Sequence, residues 1–237
     1  HSRSGLFTQI LISMVIIPPH IENLAPYKPG KPGANMFEDA KPEREVVLSS
    51  NENNFGPSPK AMEALKRSLN NMNLYPDPTA SLLKERLSHL LDIPVSHLLM
   101  SNGSDAILYT MFRAFLSGDD SMLTSHAAFV SAKVMARMNN IRCVEVAMTG
   151  DHEFDLDGII TNIDDTTKLI YLVNPNNPTG QMMTRTAMDS FLSRVPQHIL
   201  VVVDEAYCEF ARALSGEYPD CTRLGYNNVI ALRTFSK

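Results

Sequence analysis

Four apolar runs in this chain end in polar clusters, and those clusters hold the side chains that could do chemistry. After Leu98–Met100 comes Ser101-Asn102-Gly103-Ser104-Asp105. If it opens a helix, free backbone N–H groups and the helix dipole make a natural phosphate cradle. By itself the segment reads equally as a plain N-cap turn. After Lys168–Val173 comes Asn174-Pro175-Asn176-Asn177-Pro178-Thr179-Gly180, a rigid loop with more amide side chains than a turn requires. After Ile199–Val203 comes Asp204-Glu205-Ala206-Tyr207. A carboxylate closing a buried apolar strand is costly unless it meets a cation or caps the next turn. After Val229–Leu232 comes Arg233-Thr234-Phe235-Ser236-Lys237, a lysine behind two hydroxyl residues that could also be a solvated tail.

The elements that must position these clusters alternate. Strands are expected at Leu98–Met100, Met122–Thr124, Ile141–Val146, Lys168–Val173, Ile199–Val203 and Val229–Leu232. Helices are expected over Ser104–Leu116, Phe129–Met138 and Thr184–Val195. Upstream, Ser58-Pro59 reads as a helix start with Ser as N-cap and Pro at the first helical position. Met62, Leu65 and Leu69 give that helix one apolar face, and Leu83, Leu87, Leu90 and Leu91 mark another helix beyond the Tyr75-Pro76-Asp77-Pro78 turn. Val46–Leu48 is a short strand candidate, and the prolines and glycines of residues 18–45 exclude a regular element there. Such alternation implies an α/β fold, a mainly parallel sheet sandwiched between two helical layers. Ligands of such sheets sit beyond the carboxyl ends of the strands, where the four clusters lie.

Composition narrows the classes. The chain has 237 residues and a net charge of -5, which gives no reason to expect a nucleic-acid or acidic-membrane partner. Cys143, Cys208 and Cys221 are odd in number and widely spaced, so a reducing cytoplasm is the expectation. No HExxH or CxxC points to a metal, no GxxxxGK[ST] loop supports an ATPase reading of Asp204-Glu205, and no GxGxxG marks a dinucleotide site. The apolar run Gly5–Ile17 is too short to span a bilayer and lacks a small-residue cleavage site. Residues 1–13 read as upstream sequence with Met14 as the natural start; an apolar arm that packs on a partner subunit is the rival.

In order, SNGSD, NPNNPTG, DEAY and RTFSK resemble the fold-type I pyridoxal-5′-phosphate (PLP) dependent aminotransferases. LAPYKPGKP (24–32), NENNFGPSP (51–59) and LYPDP (74–78) narrow the resemblance to the histidinol-phosphate aminotransferase branch, over about Ile16 to Lys237. Two departures, Asn54 where the branch commonly has Pro and His126-Ala127-Ala128-Phe129 where relatives carry a Pro-Thr-Tyr-like segment, touch substrate identity more than cofactor binding. The resemblance implies that Lys237 carries PLP in an imine linkage and that Asp204 pairs with the pyridine nitrogen. It implies that Asn177 and Tyr207 bond the ring's phenolate oxygen and that Phe129 stacks on the ring. Ser104, Asp105, Thr234 and Ser236 would hold the phosphate, and Tyr75 would reach the phosphate of a neighbouring subunit in a homodimer. The implied reaction moves an amino group from histidinol phosphate to 2-oxoglutarate, in the cytoplasm, for histidine biosynthesis. Alternatives on the same fold are a threonine-phosphate decarboxylase and an aminotransferase for aromatic or other amino acids. A regulator's cofactor-sensing half is a rival of another class. The resemblance further implies a large domain over residues 46–237 behind a 1–45 arm, inactive alone and a fragment of a longer product whose small domain lies beyond Lys237.

Overall fold

The computed structural model describes residues 17–24, 50–53 and 55–237. The chain falls into two units, residues 1–27 with 107–232, and residues 28–106 with 233–237. In chain order the described elements are α1 (Pro19–Glu22), α2 (Pro59–Ser68), α3 (Ser81–Leu91), α4 (Gly103–Phe115), β1 (Ser121–Ser125), α5 (Ser131–Met138), β2 (Arg142–Val146), α6 (Leu156–Thr161), β3 (Thr167–Val173), α7 (Arg185–Leu192), β4 (Leu200–Asp204), α8 (Cys208–Leu214) and β5 (Val229–Leu232).

In the first unit the strands form one sheet in the order β2-β1-β3-β4-β5, every neighbouring pair parallel. Parallel strands inside such a sheet bury both faces, so they read as continuous apolar runs rather than alternating ones. Leu169–Val173 in β3 and Val201–Val203 in β4 are accordingly buried throughout. Strand β2, at the sheet edge, instead exposes Arg142 and Glu145. Leu108, Phe112, Met188 and Phe191 from the helices pack with Met122, Ile170 and Val202 in one core. Side-chain caps start two of the helices: Asp155 Oδ1 accepts from Gly158 N at 2.8 Å ahead of α6, and Thr184 Oγ1 accepts from Ala187 N at 3.3 Å ahead of α7. A Cβ at Gly158 would collide with the capping carboxylate and with Val146, so that close approach requires glycine.

The second unit holds α2 and α3. Pro59 opens α2 as its sequence requires, but Ser58 makes no side-chain cap bond. The apolar face runs on through Leu69 as a 3-10 turn, Leu69–Asn71. Ahead of α3, the Asp77 carboxylate accepts from Thr79 N (2.9 Å), Thr79 Oγ1 (2.7 Å), Ser81 N (2.7 Å) and Ser81 Oγ (2.6 Å).

Three expectations differ from the fold. Leu98 is extended, but residues 98–100 join no ladder among the described residues; extended backbone becomes a strand only when a neighbour pairs with it. The proline-rich segment holds a one-turn helix, α1, because Pro19 sits at its first position, where no N–H is needed. Helices α6 and α8 were not evident in the sequence, being six and seven residues long with little periodicity to show. The Val46–Leu48 strand, Asn54 and the rest of the expected arm lie outside the described residues.

Candidate functional site

The sheet order reverses between β1 and β3: from β1 the chain steps outward to β2, then returns past β1 to continue through β3, β4 and β5. Ligand crevices of open parallel sheets form at such a reversal, at the carboxyl ends. The loop leaving β1 and the loop leaving β3 flank it; one hydrogen bond joins them, and another braces the first loop against α5. Asn176 Nδ2 donates to Ala127 O at 3.3 Å, and Lys133 Nζ from α5 donates to His126 O at 2.8 Å.

Within the loop leaving β3 the asparagines divide their work. Asn174 is fully buried; its Nδ2 donates to Met183 O at 3.1 Å and its Oδ1 accepts from Met183 N at 2.9 Å, a side-chain imitation of a strand ladder. Tyr218 OH donates to Asn174 O at 2.9 Å. Asn176 also bonds Thr179 Oγ1 at 2.9 Å, while its own Oδ1 is buried without a partner among the described residues. Asn177, half-buried, has a side chain with no hydrogen bond among the described residues. Two amides therefore shape the loop, and the third is available to a ligand.

Asp204 ends β4 at 5% exposure. Its Oδ2 accepts from Tyr171 OH at 2.8 Å and its Oδ1 from Ala206 N at 3.1 Å. Tyr171 was not among the residues expected from sequence, though a signal was there: it is the one side-chain hydroxyl in the apolar run Leu169–Val173, and a buried phenol needs a partner. Glu205, also buried, accepts from Cys221 N at 3.0 Å through Oε1. Phe129 and Tyr207 are half-buried on the segments that follow β1 and β4. The first unit thus brings Phe129, Asn177, Asp204 and Tyr207 to the carboxyl ends of its strands.

The remaining expected residues belong to the second unit. Ser104 and Asp105 lie in the first turn of α4, which opens at Gly103 with a φ of 81°, backbone that glycine adopts without strain. Thr234 and Ser236 join hydroxyls at 2.8 Å, and Ser236 N donates to Thr234 Oγ1 at 3.1 Å. Lys237 Nζ donates to Ser50 O at 3.4 Å. Tyr75 is fully exposed and makes no hydrogen bond among the described residues. Among those residues no cluster of His, Cys, Asp and Glu could hold a metal ion, and no helix is long and apolar enough to cross a membrane.

Comparison with known proteins gives one family. A family model, aminotransferase class I and II, matches residues 43–237. A histidinol-phosphate aminotransferase of Halalkalibacterium halodurans is 39% identical over 93% of this chain and 60% of its own length. One from Staphylococcus saprophyticus is 41% identical over 92% of this chain and 62% of its own. The histidinol-phosphate aminotransferase of Sinorhizobium meliloti, solved with pyridoxal-5′-phosphate, superposes with a TM-score of 0.74 at 29% identity, over 79% of this chain and 51% of that one. The chain spans about three fifths of the curated relatives it matches.

Proposed function

The chain belongs to the aminotransferase class I and II family, and on that premise we propose that it carries most of the cofactor site of a PLP-dependent transaminase acting on histidinol phosphate and 2-oxoglutarate. The donor set fits the cofactor. Asp204 is a nearly buried carboxylate at a strand end, suited to a cationic ring nitrogen. Asn177 offers an amide that has no hydrogen bond among the described residues for a phenolate oxygen, and Thr234 and Ser236 offer hydroxyls for a phosphate. The single observation that carries the reading is Asp204, held at the carboxyl end of a buried strand beside the loop that presents Asn177.

PLP, when bound, supplies an electron sink for the substrate α-carbon. Asp204 would meet the ring nitrogen and hold a proton there. Tyr207 and Asn177 would donate to the phenolate oxygen, Phe129 would pack on the ring face, and Ser104, Asp105, Thr234 and Ser236 would hold the phosphate. Lys237 would hold the cofactor through its Nζ and would serve as the base that moves the proton at the substrate α-carbon. Tyr75 reaches the phosphate held by a second copy, so the working enzyme is a homodimer, and its place is the cytoplasm. The test is borohydride reduction of the PLP-loaded full-length protein followed by peptide mapping. The expected adduct is on Lys237; an adduct on another lysine overturns the assignment.

A further inference from the structure

Resting on the transaminase reading above, we propose that Tyr171 is a positioning residue for Asp204: its buried phenol fixes the carboxylate that meets the cofactor's ring nitrogen. The register makes this contact possible. Tyr171 on β3 lies opposite Val202 on β4, and Val173 lies opposite Asp204, so Tyr171 and Asp204 are diagonal neighbours on one face of the sheet. A long aromatic side chain spans that diagonal. Tyr171 is fully buried, its hydroxyl stands 2.8 Å from Asp204 Oδ2, and its carbonyl is held from the other side by Thr124 Oγ1 at 2.8 Å.

The chemistry of the donor is what matters. A carboxylate at the end of an apolar strand is too costly to leave without hydrogen bonds. A lysine or arginine at position 171 would satisfy it but would also neutralise it and compete with the ring nitrogen. A phenol supplies the hydrogen bond without a charge, so it aims the Asp204 carboxyl without competing with the ring nitrogen. Tyr171 is assigned here as a positioning residue that acts through Asp204.

The experiment uses the full-length protein, as apoprotein and loaded with PLP. In the apoprotein, urea unfolding of Tyr171→Phe, Asp204→Asn and the double variant should be non-additive, as contacting residues are; additive changes overturn the contact. In the PLP titration, Tyr171→Phe should weaken binding by about tenfold or more, the scale of a lost bond to a charged group. That loss should vanish in the Asp204→Asn background. The pH dependence of the bound cofactor's absorbance should shift in Tyr171→Phe. A fluorinated tyrosine at position 171, a stronger donor of the same shape, should shift it the opposite way, and this arm remains should Tyr171→Phe fold poorly. Parent-like affinity and an unchanged pH profile in Tyr171→Phe, whatever its stability, reduce Tyr171 to a packing residue and overturn the proposal. Unloaded parent protein after incubation with PLP overturns the functional reading itself, before any variant is made.

Discussion

Asp204 accepts from donors of different kinds, among them the Tyr171 phenol and its own loop's Ala206 N–H. Replacing it by alanine leaves a buried hydroxyl behind, which destabilises by about 1–3 kcal/mol, but the apolar strand that ends in it survives. On the proposed chemistry, Asp204→Ala in the full-length enzyme therefore loses at least ~10²-fold in turnover, the scale of a main electrostatic group, while circular dichroism stays native. Near-normal turnover removes Asp204 from its role. Cys143 makes a contrasting case. Burial, with the Glu145 carboxylate nearby, pushes its thiol up to about 11. Only the thiolate is nucleophilic, so at pH 8 Cys143 should react with iodoacetamide far more slowly than a free thiol, and its rate should still climb as pH rises from 9 toward 11. Mass spectrometry of the labelled peptide reads this directly; a rate that levels off by pH 9 contradicts it.

At the scale of elements, the start of α3 depends on one side chain. Asp77 gathers both backbone N–H groups and both hydroxyls of Thr79 and Ser81, and those bonds hold its carboxyl well below the usual carboxylate range. A group depressed in the folded state contributes stability that is present above its unfolded value and lost as pH falls through the folded one. The cap should thus survive at pH 4 and fail only in stronger acid. Hydrogen exchange at the amides of Thr79 and Ser81 is the measure: Asp77→Ala should speed both at neutral pH, and the parent should keep its protection at pH 4. Equal exchange in parent and variant shows that the cap is not what orders the turn.

For the whole molecule, the proposed homodimer has a consequence that single chains cannot imitate. If Tyr75 serves the phosphate of the neighbouring copy, a hybrid of one Tyr75→Phe subunit and one Lys237→Ala subunit contains one unaltered site, built from Lys237 of the first and Tyr75 of the second. Mixed, refolded full-length variants should then exceed the activity of either homodimer, approaching one intact site per hybrid. Activity that never rises above that of the Tyr75→Phe homodimer places both residues in one chain.

The sequence by itself determined the class of fold and the places to look. Apolar runs such as Ile199–Val203 announce strands buried on both faces, because parallel neighbours leave no face for water, and the motif order SNGSD, NPNNPTG, DEAY and RTFSK carried the family. It could not show that Leu98–Met100 would find no ladder among the described residues, since pairing is a property of neighbours rather than of the segment. Nor could it separate Asn174 and Asn176, which shape their loop, from Asn177, whose amide makes no hydrogen bond among the described residues, because identical side chains differ only in what surrounds them. The contact of Tyr171 with Asp204 joins residues 33 apart in the chain. Only the register of two parallel strands, set by packing along their whole length, decides that the phenol of one reaches the carboxylate of the other.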